Sequence, residues 1–320
     1  MQDSNRLPLI TNPTIQMPFV YQSYRNLARV LGSKDALGAG LFLAASHFID
    51  ISKRGKDPQA LTKRLNKKYI AYTGNTDLDL LLDHLISLLI VATSKHFEDF
   101  LERFRKEQYA MGRRWPQRPD GVSDLKWTLS ALQGGFELNR KRIGVERYDL
   151  IEYFRLIRNS AAHPADDMAR NYAEHGKVLK YTDILKANYK FQPPGRYGEL
   201  TFPDHLLYTI LVKFVAVDIC RLAPPETASE LIVVLANREW FPSKPVSVIS
   251  RRSPTDDTSK AVRHFFKSVY NYDFTNRVSV ESELIQWIKA LPNQKERKRK
   301  NWPSPQTDLM HYVQALQLDG

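Results

Sequence analysis

The chain of 320 residues has one cysteine, Cys220, which excludes an intramolecular disulfide and any zinc cluster built on thiolates. Its histidines show no HExxH or other ligand spacing, so no metal site is supported. No Walker loop or GxGxxG follows a strand, which disfavours nucleotide hydrolysis and dinucleotide binding, and no cofactor is expected. Runs that alternate apolar and polar residues, the mark of strands, are scarce. Long apolar runs are missing as well. Leu80 to Ala92 is interrupted by Asp83 and His84, and Leu206 to Cys220 by Lys213 and Asp218. Both are shorter than the roughly 20 residues of a membrane span, so they read as buried helices and no membrane partner is expected. Met1-Gln2-Asp3-Ser4 lacks a basic start leading into an apolar run and cleavage site, which points to a cytoplasmic protein. Acidic side chains are in deficit, 35 against 47 Lys and Arg, which leaves a net charge of +12. A surplus of that size favours a polyanionic partner, and nucleic acid is the commonest one; a generally basic, highly soluble surface is the plainer reading.

What is present is helical periodicity. The spacing predicts helices over Tyr24 to Leu31 and Leu37 to Ile49, and a third from Asp57-Pro58, where Asp caps and Pro fills the first turn. A long helix from Asp77 to about Gln108 carries an apolar stripe through Leu82, Ile86, Leu89, Phe97, Leu101 and Phe104. Met111 to Asp124, rich in Pro, Gly and Arg, reads as a loop, followed by a helix from Leu125 to Leu132 that Gly134-Gly135 stops. Beyond the next helix, helical stretches are expected within Asp166 to Leu179, over Pro203 to Leu222, Ser229 to Ala236, Thr258 to Tyr270, Glu281 to Leu291 and Asp308 to Leu316, with a loop from Phe191 to Phe202. The fold class expected is all-α: a helical bundle core at 77–222, a helical N-terminal extension at 1–76, and a C-terminal helical region with a basic segment at 225–320.

Local spacing suggests chemistry at Arg158-Asn159-Ser160-Ala161-Ala162-His163, closed by Pro164. Leu150, Phe154, Ile157 and Ala161 form one apolar helix face, so Arg158 and His163 fall at the C-terminal end of that helix, which Pro164 stops or kinks. Five residues advance about 7.5 Å and turn through about 500°, so the two are neither stacked nor opposed. Asn159 lies four residues before His163 and on its face, within reach to fix the tautomer. Unpaired carbonyls at the helix end favour a protonated ring, and a histidine poised near neutrality serves as acid or base. Ala161 and Ala162 let another helix approach closely. A two-fold axis there would set two Arg and two His around one cleft. Such a group suits RNA cleavage, with His taking the 2′-hydroxyl proton and Arg neutralising the phosphate.

The stretch Tyr153-Phe154-Arg155-Leu156-Ile157-Arg158-Asn159-Ser160-Ala161-Ala162-His163-Pro164 resembles the signature helix of the HEPN superfamily, in which His follows Arg after four to six residues, often with Asn next to the Arg. His96-Phe97-Glu98-Asp99-Phe100-Leu101 is similar to the aromatic, acidic and aliphatic stretch on the long helix of that bundle. The resemblance covers roughly residues 77 to 222, with a longer insertion between the helices (about 110 to 145) than a minimal member needs. It implies a HEPN-like bundle acting as a homodimeric, metal-independent endoribonuclease of the toxin or abortive-infection kind. Arg158 and His163 would form the catalytic pair, Asn159 would orient, and Glu98 would support from the first helix. An antitoxin or sensor protein would be a natural partner, and the substrate would be single-stranded or structured RNA, tRNA among the candidates.

Two basic runs could follow a phosphate backbone: Arg113, Arg114 and Arg118 with Trp115 among them, and Lys295 to Lys300 followed by Trp302. Solvated linkers are the alternative for both. For the whole chain, two other readings stand beside the nuclease: a catalytically silent HEPN dimerisation or binding module, and a basic helical regulator that binds nucleic acid.

Overall fold

Helical periodicity dominates the computed structural model, which describes residues 19–54, 58–69, 78–162, 168–237, 241 and 258–290. Every regular element among the described residues is helical. In chain order these are α1 (Gln22–Arg54), α2 (Pro58–Tyr69), α3 (Leu78–Ala110), α4 (Asp124–Ala131), α5 (Gly135–Ile143), α6 (Val145–Ala162) and α7 (Met168–Val178). A 3-10 turn at Leu179–Tyr181 leads into α8 (Thr182–Tyr189), α9 (Phe202–Leu222), α10 (Ala228–Ala236), α11 (Thr258–Tyr270) and α12 (Val278–Ala290). The all-α class expected from periodicity is what the structure has.

Three local differences from the sequence reading have physical causes. The two helices expected before residue 50 are one, α1, which continues through Gly32, Gly38 and Gly40. Gly38 is needed for close approach: a Cβ there would sit 3.2 Å from both terminal carbons of Leu89 on α3. Gly134-Gly135 does end α4, but with φ of +97° and +71° it turns the chain straight into α5, which periodicity missed. Helix α5 is mostly polar, and what fixes it is one side chain. Buried Asn139 donates its amide to the carbonyls of Leu129, Leu132 and Gln133 at 3.0 to 3.2 Å, closing the open end of α4. Helix α8, also short, has no counterpart among the stretches expected from periodicity.

The chain builds two compact units, each assembled from separate stretches of sequence. The first takes Ala28–Phe97 and Gly144–Val215; the second takes Gln16–Leu27, Glu98–Ile143 and Ala216–Gly320. The reason is helix length, since α1, α3 and α9 each run on from one unit into the other. Within the first unit, Leu150, Phe154 and Ile157 are fully buried, as the stripe on α6 requires. Phe154 stacks on Tyr208 of α9 at 4.5 Å, and the Tyr208 hydroxyl meets Ser94 Oγ of α3 at 2.9 Å. In the second unit, Tyr21 packs edge-on against Phe104 at 5.1 Å and donates its hydroxyl to the carbonyl of Ala223. Glu107 closes the start of α1, accepting from the Ser23 amide at 2.9 Å and pairing with Ser23 Oγ at 2.5 Å.

The apolar run read as a short buried helix belongs to a longer element. Leu80–Ala110 of α3 is long and apolar enough to cross a membrane by length and composition, and a third of its most apolar window is buried. Cys220 is buried, and burial pushes its thiol well above the usual range.

Candidate active site and nucleic-acid surface

Helix α6 follows Gly144, whose φ of +93° makes the turn after α5, and the Gly144 carbonyl accepts from the Tyr148 amide. Successive turns then fasten α6 within the first unit. Arg147 donates Nε to the Tyr189 hydroxyl at 2.7 Å and lies over the Phe214 ring at 5.1 Å. Tyr153 donates its hydroxyl to the Gly195 carbonyl at 2.8 Å, and Phe154 stacks on Tyr208. The last turn is different. Ser160 is buried and bonds back to the Leu156 carbonyl at 3.2 Å, while Arg158, Asn159 and Ala161 are half-exposed. Packing therefore fixes the helix by its inner side and leaves Arg158 and Asn159 partly exposed.

Arg158 Nη1 donates to Asn159 Oδ1 at 3.1 Å. The structure thus brings these two site residues together, with Asn159 steadying the guanidinium, whereas the spacing had paired Asn159 with His163. His163 and Pro164 lie outside the described residues. Glu98 is half-buried on α3 and belongs to the second unit, while Arg158 and Asn159 belong to the first.

Two polar groups in the first unit escaped the sequence reading. Beside Tyr153, the His175 ring lies at 5.9 Å with Nε2 3.1 Å from the Pro194 carbonyl. Asp204 accepts from the amide and hydroxyl of Thr201 at 2.7 and 2.8 Å, yet burial holds its carboxyl above the usual range. Burial likewise pushes the Tyr153 phenol up. Separately, Asp35 joins α1 to α9, accepting from Lys213 Nζ at 2.8 Å with His205 Nε2 3.8 Å from its other oxygen. Burial pulls the His205 imidazole below its usual range, against the pull of Asp35. The contacts that join elements here, such as His175 with Pro194 and Asp35 with Lys213, are 19 and 178 positions apart, and no local motif could have announced them. Among the described residues, no group of three or more His, Cys, Asp or Glu side chains is placed to hold a metal ion.

The first basic run is divided by the structure. Arg113 spends its guanidinium inside the second unit: Nε and Nη2 on Glu230 at 2.6 and 3.0 Å, Nη1 on Gln108 and the Ala223 carbonyl, Nη2 also on the Pro224 carbonyl. That occupation makes it an anchor of the loop and removes it from the side chains able to meet phosphate. Arg118 bonds the Val122 carbonyl and pairs with Asp124 at 3.0 Å, and Arg114 is exposed. Trp115 sits between Tyr109 and Trp127, ring centroids 6.4 and 6.1 Å away. Tyr109 and Trp127 were not among the residues singled out; Trp127 follows twelve positions later, on another helix, where spacing carries no signal. The second basic run, Lys295 to Lys300 with Trp302, and the helix expected at Asp308 to Leu316 lie outside the described residues.

No family model, curated protein or solved structure matches the chain.

Proposed function

We propose that this chain is a metal-independent endoribonuclease of the HEPN type, working as a homodimer in defence or as a toxin, with Arg158 and His163 of two copies around one cleft. The observation that supports it most is the last turn of α6, where a well-packed helix leaves Arg158 half-exposed and its guanidinium bonded to Asn159. A cation held in that way costs little reorganisation when charge grows on a phosphate. His163 takes the proton of a 2′-hydroxyl, whose oxygen attacks the adjacent phosphorus while the bond to the 5′-oxygen breaks. The products are a 2′,3′-cyclic phosphate and a 5′-hydroxyl, the latter protonated by the second histidine. Asn159 contributes by fixing Arg158 through its side-chain oxygen.

The test is cleavage of total RNA in EDTA by the unaltered protein, His163→Ala, Arg158→Ala and Asn159→Ala. Activity is expected from the first, with a loss of about 100-fold or more for the His and Arg variants. Cleavage that persists in both variants, or that EDTA abolishes, overturns the mechanism.

A further inference from the structure

The segment 111–123 between α3 and α4 has no regular structure, yet it is fixed at three places. Arg113 clamps its start to Glu230, Ala223 and Pro224; the indole nitrogen of Trp127 donates to the Pro116 carbonyl at 3.1 Å; and Arg118 holds Val122 and Asp124. Unstructured stretches of this length inside a compact unit are usually either functional or loose linkers, and the anchoring rules out a linker. What the anchored loop presents is Trp115, half-buried, with Phe104 beneath it at 6.2 Å and Tyr109 and Trp127 at its sides. Tyr109 is 42 % exposed. Arg105 covers one face of Trp127 at 4.4 Å, so that ring frames the surface, while Tyr109 is exposed and Trp115 partly so.

Charge around the rings is positive. Arg105 and Arg118 share the single carboxylate of Asp124, at 3.2 and 3.0 Å, and Lys106 is balanced by Glu102. Arg114, next to Trp115, and Lys126, next to Trp127, are exposed, and neither forms an ion pair among the described residues. Aromatic faces with unbalanced cations beside them match the chemistry of an unpaired nucleotide, which carries a flat base on an anionic backbone. A duplex hides its base faces within its own stack.

We infer that Tyr109 and Trp115, with Arg114 and Lys126, form a stacking platform for single-stranded RNA. The inference takes RNA from the proposed function and adds that the strand must be unpaired where it lies on the second unit.

The experiment measures anisotropy of a short labelled oligouridylate and of an RNA duplex of equal length against the full chain carrying His163→Ala, in EDTA. The single strand is expected to bind at least tenfold more tightly. Tyr109→Leu should weaken it by about 5- to 150-fold, the range of one base stack, and Tyr109→Phe should not. Arg114→Gln should lower the slope of log affinity against log salt by about 0.7. Both positions are exposed, so these variants keep the fold, and circular dichroism checks that they do. Equal or tighter binding of the duplex, or unaltered binding by Tyr109→Leu and Arg114→Gln, overturns the platform. Because binding is read without turnover, its failure is separate from that of the nuclease: intact binding with no cleavage by the unmutated chain counts only against Arg158 and His163.

Discussion

Glu107→Gln should make the second unit more stable at pH 8 and leave it nearly unchanged at pH 5. Glu107 is 1 % exposed, and burial raises its carboxyl to about 8 even though Ser23 hydrogen bonds favour the ionised form. The unfolded chain titrates near 4.5, so between pH 4.5 and 8 the folded state binds a proton that the unfolded state has released. Stability from this group is complete below pH 4.5, falls as pH rises through that window and levels off above 8. Each pH unit is worth at most about 1.4 kcal/mol, giving a ceiling of about 4 to 5 kcal/mol for the whole window. A drop of about 2 kcal/mol between pH 5 and 8 is the working expectation. Glutamine keeps an acceptor for the Ser23 amide, and the Ser23 hydroxyl, which donates to the carboxylate, can rotate to accept from the new side-chain amide, which does not titrate. Urea unfolding at several pH values, followed by tryptophan fluorescence, gives the difference between the two proteins; other groups, His205 included, cancel in that difference. A difference that stays within about 0.5 kcal/mol across the window would refute the assignment of a neutral Glu107. One that moves toward the unaltered protein at high pH would show that the carboxylate is the form the site prefers.

Arg113→Ala should destabilise by about 3 kcal/mol, because it takes the paired cation from the carboxylate of Glu230 and the guanidinium bonds from the Ala223 and Pro224 carbonyls, whereas Arg114→Ala should change stability by less than about 0.5 kcal/mol. Thermal melts of the pair decide this, and equal effects would contradict the division of the basic run. Gly195→Ala would place a Cβ 2.5 Å from the Glu199 carbonyl oxygen, so a loss of about 2 kcal/mol or more is expected in the same melts. Cys220 should resist a thiol reagent in the native protein and react once urea unfolds it; labelling at the native rate of an exposed thiol would put it outside the core.

Long elements were legible because they repeat their pattern over many turns. Helix α3 was read from Asp77 to about Gln108 and spans Leu78–Ala110, and α11 matched at both ends. Short ones were not: α5 and α8 have two turns each, too few for a stripe to stand out, and both owe their place to tertiary partners such as Asn139 and Tyr189. The break expected between Leu31 and Leu37 is absent, since helix α1 runs on through Gly32 without interruption. In the candidate site, Arg158 and Asn159 could be found because they are neighbours in sequence. Arg113 could be counted as a charge but not as a bound one, since Glu230 is 117 positions away. Tyr109, Trp115 and Trp127 come from a helix, a loop and another helix, and only folding places their rings side by side.

The route of the chain decides how this protein can be dissected. Three of its described passages from one unit to the other, at 27–28, 97–98 and 215–216, fall inside α1, α3 and α9, and the fourth lies at Gly144. A protease that needs an extended substrate finds no linker to cut at the first three, and a fragment such as 77–222 would carry incomplete portions of both units. Neither unit can therefore be moved as a cassette. Deletion mapping, the usual way to assign an activity to part of a chain, would here report loss of folding under the name of loss of function, so point substitutions in the intact protein are the informative tool.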